Sequence, residues 1–317
     1  MSNRSIVEKA DLAVANLISD GGYLNPEQSN QFLDIIIDQP TILSNVRTVQ
    51  MNAPKRKIEK LGFANRILRA ATSATALSSG DRSKPDLELI ELETDEIIAE
   101  IWLPYDVLED NIERQSLEDT IMQKIGERAA LDLEELLILG DTGSGDSYLA
   151  LKDGLLQMTP SANIVDASAQ TNITKSLFKQ GIHAMAMKYQ RNLGAMSFYT
   201  NLGVETEYRD SLADRATGLG DNLIQGHAPV FAYGVPVTPC ALMPRDEIIF
   251  TYPSNVVWGV QRDIMIETDR DIRSRVLIIV LTMRIDFKLE EEDACVRLSG
   301  FSDASISTTT TTTTTTT

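Results

Sequence analysis

The segment Leu103–Asp146 reads LPYDVLEDNIERQSLEDTIMQKIGERAALDLEELLILGDTGSGD and contains the pattern of one long amphipathic helix. Apolar residues recur along it at steps of three to five, which places them on one helical face: Ile112, Leu117, Ile121, Ile125, Ala129, Leu133 and Leu136. Ser116 and Asp119 form a capping pattern at its start, and Gly140 ends it. Over Leu117–Leu139 the helix is about 35 Å long at ~1.5 Å per residue, so we expect other elements to pack around it.

Length and composition predict a globular protein with at least two packed regions. The chain has 317 residues, more than one ordinary core fills, and 43% of them are hydrophobic. It lacks the run of about eighteen apolar residues typical of a membrane helix, and Glu8 and Asp11 stand where a signal peptide would be apolar. We therefore expect a protein that is made in the cytosol and has no membrane partner. Cys240 and Cys295 lie in apolar surroundings and are interpreted as reduced core residues.

The net charge of −17 argues against direct recognition of DNA or RNA, because such binding depends on Lys and Arg that neutralise phosphates. The charge is also divided into blocks. Nine basic residues stand against two acidic ones between Arg47 and Lys84, and thirteen acidic residues stand against Arg114 between Asp86 and Asp119. These blocks pair within one hairpin or with a neighbouring copy of the chain, unless they are two ordinary solvated surfaces.

The residues before the long helix are interpreted as an arm followed by a protruding loop. Short helical patterns at Ser5–Ile18 and Glu27–Ile37 flank GGYLNP at Gly21–Pro26 and have no evident partner within the segment. Val46–Leu61 is extended, and after a weakly hydrophobic stretch Leu87–Leu103 has the pattern of a second strand. Isolated hairpins need an external surface for stability, so we expect this loop to lie on something outside itself.

The residues after the long helix mix helices with strands, which predicts an α+β fold. Short strands are expected at Leu149–Leu151 and Gly154–Met158, and helices at Thr174–Gln190 and Val204–Leu212. Further strands are expected at Met196–Gly203, Val230–Val237, Glu247–Phe250, Val256–Val260, Ile264–Thr268, Leu277–Lys288 and Ala294–Leu298. The Thr tract at Ser307–Thr317 has nothing to bury and is expected to be disordered or recruited onto another chain.

One tetrapeptide resembles a catalytic motif. The DTGS sequence at 141–144 matches the core of the aspartic proteases, which would make the protein a hydrolase that uses Asp141. However, it follows a helix rather than a strand, and the chain contains no second copy. Asp141 and Asp146 are also candidate calcium ligands, but a Gly/Asp turn that closes a helix is the commoner reason for such a sequence.

The remaining polar residues offer little for catalysis. His183 and His227 are too few for a histidine-based metal site or a catalytic triad. The acidic groups at Glu109–Asp110 and Glu290–Asp293 are interpreted as solvated or salt-bridged. The chain contains neither a P-loop nor a dinucleotide-binding motif. We therefore predict a protein that is not an enzyme and needs no cofactor or metal.

A series of short motifs extends from about Gly21 to Phe301. GGYLNP follows the arm, DVLEDNIE leads into the long helix, and GDTG and DGLL come after it. Later motifs are GVPVTPCALMP, IIFTYPSN, VQRDIMIETDRD and TMRIDFKLEEEDACV. In this order they resemble the major capsid proteins of tailed bacteriophages, whose fold is named after phage Hong Kong ninety-seven. The GDTG turn is one residue longer than the Gly-Asp-Gly turn common in that family.

The resemblance implies the domain organisation of a shell subunit. It predicts an N-terminal arm at 1–45, an extended loop at 52–101, an axial domain at 162–245, a C-terminal strand at 294–306 and a poly-Thr tail at 307–317. The peripheral domain takes 46–51, then 102–161 with the long spine helix, and 246–293 with the return strands.

The resemblance also implies a structural function. Hexamers and pentamers of such a subunit form an icosahedral virion shell around a double-stranded DNA genome, without sequence-specific binding and with assembly in the bacterial host cytoplasm. The implied partners are other copies of the chain, a portal and a separate scaffolding protein, because 1–45 is too short for an N-terminal assembly domain. A decoration protein is a further option. An encapsulin-like compartment shell has the same fold and is the alternative.

Contacts between subunits are expected to use the opposite charges on either side of the loop. In this hypothesis basic residues of one copy lie on acidic residues of the next: Lys55, Arg56, Lys57, Lys60, Arg66 and Arg69 on Glu109, Asp110 and Glu113. Some relatives also weld subunits through a Lys-to-Asn bond between the loop and the peripheral domain. Gln261–Asp293 contains no Asn, so this weld is not expected here.

Overall fold

The computed structural model describes residues 41–105, 117–213 and 229–302, apart from positions 64–66, 69, 71–75, 77, 79, 81, 83 and 84. The expected arm helices, the cap at Ser116, Ile112 and the Thr tract lie outside the described residues. So do five of the nine residues expected at contacts between subunits: Arg66, Arg69, Glu109, Asp110 and Glu113.

In the described part of the chain the regular structure consists of four α-helices and twelve strands, with short 3-10 turns between them. The helices are α1 (Leu117–Leu139), α2 (Leu155–Met158), α3 (Lys175–Ala184) and α4 (Leu202–Ala213). The strands are β1 (Arg47–Gln50), β2 (Lys55–Gly62), β3 (Asp86–Glu93), β4 (Asp95–Pro104), β5 (Ile164–Asp166), β6 (Ser197–Thr200), β7 (Val230–Ala232), β8 (Val235–Pro239), β9 (Glu247–Thr251), β10 (Val256–Asp271), β11 (Val276–Leu289) and β12 (Cys295–Ser299).

A four-stranded sheet in the order β1-β10-β11-β4 covers the apolar face of α1. β11 is antiparallel to both β10 and β4, whereas β1 is parallel to β10. Leu133 and Leu136, which the sequence pattern placed on the apolar face of the helix, are 2% and 0% exposed. Alternate side chains of β11 share their core: Leu277, Ile279, Leu281, Met283 and Ile285. Burial of each leucine contributes roughly 1.5–3 kcal/mol, so this face holds the helix on the sheet.

A six-stranded sheet, in the order β5-β12-β9-β6-β8-β7, separates two cores. Successive side chains of a strand point to opposite faces, so neighbouring residues enter different cores. Tyr199 and Ile249 belong to the core that contains α1, whereas Phe198 and Phe250 belong to the second core with α3 and α4. The rings of Phe198 and Phe250 stack at a centroid distance of 4.4 Å. The sheet therefore joins the part built around α1 to the part built around α3 and α4.

The structure confirms the predicted bounds of α1 and the buried, free state of Cys240 and Cys295. Two short strands were predicted wrongly. Leu149–Leu151 is a 3-10 turn, in which Leu151 N–H donates to the carbonyl of Tyr148 at 3.2 Å. The segment expected as the strand Gly154–Met158 contains α2 instead. Periodicity does not distinguish a buried strand from one helical turn over so few residues.

Three longer elements also differ from the prediction. The single strand expected at Val230–Val237 is the antiparallel pair β7 and β8, because Tyr233 and Gly234 have positive φ and form a turn between them. α3 ends at Ala184 rather than Gln190, because Met185 has extended backbone angles and begins a series of turns. The two strands expected at 256–260 and 264–268 form the single strand β10, which continues to Asp271. Its register with β11 shifts between Val260 and Met265, and this irregularity coincides with the apparent gap in the sequence pattern.

Candidate assembly surface

The hairpin β2-β3 brings the basic and acidic blocks of the sequence together within one subunit. In its antiparallel register Lys55 Nζ lies 2.7 Å from Glu93, Lys57 Nζ lies 4.0 Å from Glu91, and Lys60 Nζ lies 3.0 Å from Glu88. Lys55 and Lys57 are mostly exposed, and solvent screens exposed pairs of this kind. The pairs thus neutralise the hairpin locally without adding much stability.

One face of the hairpin rests on the body of the subunit. Leu92 of β3 is fully buried against Met51 and Val257, and Ile58 of β2 packs beside them. Gly259 makes room for this contact, since a Cβ atom there would lie 2.9 Å from Met51 Sδ and 3.2 Å from Leu92 Cδ1. The inner face is therefore part of a small core, which fixes the lower part of the hairpin.

The outer face and the end of the hairpin remain exposed. Five of its large apolar side chains are exposed by half or more: Phe63, Ile67, Leu68, Leu87 and Leu89. Leu87 and Leu89 share the outer face with Lys55 and Lys57, because every second residue of a strand points the same way. Apolar groups grouped with charges on a protruding element are typical of a protein interaction surface. This face has no covering element among the described residues.

A second exposed surface lies on the outer face of the four-stranded sheet. Ile98 and Trp102 of β4 are 64% and 56% exposed. Beside them Glu96 forms ion pairs of 2.9 Å with both Arg262 and Arg284. The hydrogen bond from Arg284 is the main reason that the pKa of Glu96 lies below its ordinary value. The surface thus combines aromatic and aliphatic groups with a fixed carboxylate.

The base of the hairpin is tied to the sheet by buried polar groups. Asp286 is fully buried, and its Oδ2 accepts a hydrogen bond of 2.7 Å from the backbone N–H of Glu93. Burial raises the pKa of Asp286, although that hydrogen bond and the charge of Lys152 lower it in part. Lys152 Nζ lies 2.7 Å from Asp95 and 3.5 Å from Asp286. These bonds hold the point where β3 leaves the hairpin and β4 enters the sheet.

Four of the nine predicted contact residues are among the described residues, and all four lie on β2. Lys55, Lys57 and Lys60 form the cross-strand pairs described above, and Arg56 donates to the carbonyl of Gln50. These pairs confirm, for β2 and β3, the predicted alternative that the two charge blocks pair within one hairpin. The individual acidic partners on β3 were not predicted, although the antiparallel register of the hairpin and the alternating charges of β3 indicate them. Lys60 also contacts Glu291, and no local pattern indicates a partner so far along the chain.

The turn after α1 uses its acidic residues for its own structure. Asp141 Oδ1 accepts a hydrogen bond of 2.8 Å from Gly143 N–H, and Asp146 Oδ1 accepts one of 2.8 Å from Tyr148 N–H. Within the described ranges there is no cluster of three or more His, Cys, Asp or Glu side chains placed to hold a metal ion. In the same part of the chain, every helix is too short or too polar to cross a membrane.

Comparison with known proteins defines the class. No protein-family model matches the chain. Over 310 residues it is 44% identical to YqbE of Bacillus subtilis (strain 168), which is described as a prophage capsid protein, covering 94% of this chain and 98% of that one. Its fold matches a chain of the satellite phage P4 procapsid including size determination (Sid) protein, with a TM-score of 0.69, 14% identity, and 93% and 98% coverage. The SrpI encapsulin from Synechococcus elongatus PCC 7942 also matches, with a TM-score of 0.55, 9% identity, and 81% and 85% coverage.

A long helix against a four-stranded sheet, a second sheet between two cores and a protruding hairpin define the phage major capsid fold, an α+β fold. Because encapsulins share this fold, sequence identity decides between the two classes. The chain belongs to the family of prophage capsid proteins that includes YqbE, and it is a structural capsid protein.

Proposed function

We propose that this chain is the major coat protein of a tailed phage or prophage. Hexamers and pentamers of it form an icosahedral shell that encloses a double-stranded DNA genome. The observation that carries the proposal is the 44% identity to a prophage capsid protein over 94% of the chain. The exposed hairpin supports it, because apolar groups that protrude from a subunit become buried when copies associate.

In the proposed shell the hairpin makes the contact between neighbouring subunits. Its outer face and its end, which includes Arg66 and Arg69, lie on the adjacent subunit near Glu109, Asp110 and Glu113. Lys55, Lys57 and Lys60 already pair with acidic residues of their own subunit, so we no longer assign them to the contact between copies. The two arginines carry most of the charge attraction between copies, while Leu87 and Leu89 supply apolar contact area.

The domain organisation follows the same proposal. The peripheral domain contains α1, β1, β10 and β11, and the axial domain contains α3 and α4. The extended loop at 52–101 contains the hairpin and most of β4, which pairs with β11 of the peripheral domain. The arm at 1–45 and the tail at 307–317 extend onto other copies. The net charge of −17 suits a shell that encloses DNA without binding its sequence, since an acidic chain repels phosphate.

The proposed partners are a portal and a separate scaffolding protein, with a decoration protein as an option. Assembly takes place in the cytoplasm of the bacterial host, and the finished location is the virion. The protein acts without catalysis, cofactor or metal. The encapsulin alternative predicts particles that contain a cargo enzyme and a gene neighbourhood without portal and terminase genes, whereas a coat protein predicts particles that take up DNA.

Sedimentation velocity tests the proposal. The full chain, expressed with and without its scaffolding protein, is expected to shift with concentration from the 35.0 kDa subunit to capsomers and to particles of megadalton mass. A protein that sediments as a 35.0 kDa monomer at every concentration, with and without scaffolding protein, contradicts the proposal.

A further inference from the structure

The carboxylate of Glu291 joins three parts of the subunit. Glu291 follows β11, which belongs to the four-stranded sheet. Lys60 of the hairpin forms an ion pair with it, and the hydroxyl of Tyr189 donates a hydrogen bond to it. Tyr189 lies in the loop after α3 and packs against the second core. One side chain therefore contacts the hairpin and the region of α3 at the same time.

Hydrogen bonds with Asn255 and Tyr252 fix the backbone of Glu291 and Tyr189. The buried side chain of Asn255 accepts a hydrogen bond of 2.7 Å from Glu291 N–H and donates one of 2.9 Å to the Glu291 carbonyl. Tyr252 donates through its hydroxyl to the carbonyl of Tyr189. Buried polar networks of this kind hold their members in one arrangement. The Glu291 carboxylate that binds Lys60 is thus fixed by the body of the subunit.

Lys60 differs from the other lysines of β2. Its side chain is 21% exposed, against 57% for Lys55 and 60% for Lys57. Besides Glu291 it reaches the carbonyl of Glu290 at 3.2 Å. Burial by itself raises the pKa of the Glu291 carboxyl, but the hydrogen bonds from Lys60 and Tyr189 bring the pKa below its ordinary value. Glu291 is therefore ionised at neutral pH, and the ion pair is partly shielded from solvent.

The position of Lys60 along β2 lets its contact with Glu291 restrain the direction of the hairpin. The base of the hairpin is held to the body where Glu93 N–H donates to Asp286 Oδ2 at 2.7 Å, and the small core around Leu92 and Ile58 fixes its lower part. Lys60 lies two residues beyond Ile58 on β2, which is roughly 7 Å further out at about 3.3 Å per residue. Of these attachments to the body, the Lys60 contact lies farthest from the base, so it restrains the direction of the hairpin nearest to its exposed end.

We propose that Glu291 is a positioning residue for assembly, which fixes the angle between the hairpin and the region of α3 and thereby the angle between neighbouring subunits. This inference rests on the proposed coat function, because the hairpin direction matters only if the hairpin reaches another copy. Lys60 stays on Glu291 of its own chain in the finished shell. Uniform curvature of the shell follows from this fixed direction.

Substitutions at the two ends of the ion pair test the inference. Lys60→Met and Glu291→Gln are expected to lower the melting temperature of the free subunit only slightly, since the pair is partly exposed, and to lower the fraction of closed, uniform particles several-fold, with mixed diameters by electron microscopy. The controls are Lys57→Met, which removes a pair within the hairpin alone, and Lys60→Arg, which keeps the charge. Both controls are expected to assemble as the wild type does. Wild-type diameters and yields for Lys60→Met and Glu291→Gln would overturn the inference.

Zero-length carbodiimide cross-linking supplies an independent measurement, since it couples an amine to a carboxylate that it touches. Shells assembled from mixed isotope-labelled and unlabelled subunits are expected to contain the Lys60–Glu291 link within single chains only. Links between differently labelled chains, or loss of the link on assembly, contradict the inference. If the wild type itself fails to form particles, the coat function fails; if it assembles and the variants match it, the positioning role alone fails.

Discussion

The backbone N–H of Gly154 donates a hydrogen bond of 2.8 Å to the carbonyl of Gly140, so the end of the long helix and the start of α2 meet backbone to backbone. A Cβ atom on Gly154 would lie 2.7 Å from Gly140 N and 2.7 Å from the carbonyl oxygen of Leu137. Only residues without a side chain permit this approach. The contact directs the chain from α1 back toward the sheets.

Gly154→Ala is therefore expected to destabilise the subunit by about 1–3 kcal/mol, because its methyl group meets backbone atoms that have no room to move. The measurement is urea unfolding of the unassembled subunit. Gly145→Ala is the matched control in the same region, since nothing lies within 4 Å of a Cβ atom at that position. Equal unfolding midpoints for the two variants would show that the close approach is not required.

Glu134 predicts a specific pH dependence. It is 3% exposed on α1 and accepts a hydrogen bond of 2.7 Å from Ile42 N–H, and burial raises its pKa above the ordinary value of 4.5. The folded state therefore binds a proton more readily than the unfolded state. The stability associated with the protonated group is fully present below pH 4.5 and is lost as pH rises through the folded-state pKa.

Glu134→Gln removes this ionisation and keeps an oxygen that accepts the Ile42 amide. We expect the variant to be at least as stable as the wild type at pH 7 and to lose less stability between pH 4.5 and 7. Urea unfolding across this range measures the stability at pH 7 and its change with pH. Glu135→Gln, at a partly exposed neighbour, is the control. A variant with an unchanged pH slope and lower stability at pH 7 would contradict the burial argument.

Charge reversal at the end of the hairpin tests the contact between copies. Arg66→Glu with Arg69→Glu is expected to reduce shell yield at least tenfold, because each reversal replaces attraction to an acidic neighbour by repulsion. Circular dichroism and melting of the free subunit are expected to remain as in the wild type. The exposed Lys175→Glu with Lys179→Glu on α3 is the control for net charge. Unchanged yield for the arginine variant rejects the proposed contact.

The two thiols are expected to be unreactive in the folded subunit. Cys240 and Cys295 are fully buried, and burial raises the pKa to about 12 for Cys240 and to about 11 for Cys295. The reactive thiolate is therefore scarce as well as inaccessible. Ellman's reagent is expected to label both thiols only after denaturation. Rapid labelling of the native subunit, or fewer than two thiols per denatured chain, would contradict this assignment.

Sequence patterns predicted those helices and strands that are determined by residues close together in the chain. The capping pattern of Ser116 and Asp119 predicted the start of α1, Gly140 predicted its end, and the alternation in β11 predicted a strand. α2 was missed because Leu155 and Leu156 are both buried, so four residues carry no clear period. The pairing of Lys55 with Glu93 was open to prediction from hairpin register alone.

The long-range relationships were beyond such patterns. The six-stranded sheet brings β5, β12 and β9 together from distant parts of the chain, and only packing decides that order. In the same way the link between Lys60 and Glu291 depends on where the hairpin crosses the end of β11. The resemblance to capsid proteins predicted the fold, because chains with the same motifs in the same order share the same long-range contacts.

Electron microscopy of the purified full chain, assembled with its scaffolding protein, tests the central claim most directly. The account predicts closed icosahedral shells built from pentamers and hexamers, in which the end of each hairpin crosses onto the adjacent subunit. A field of small separate particles, each a compact subunit whose hairpin and arm fold onto its own body, would contradict it.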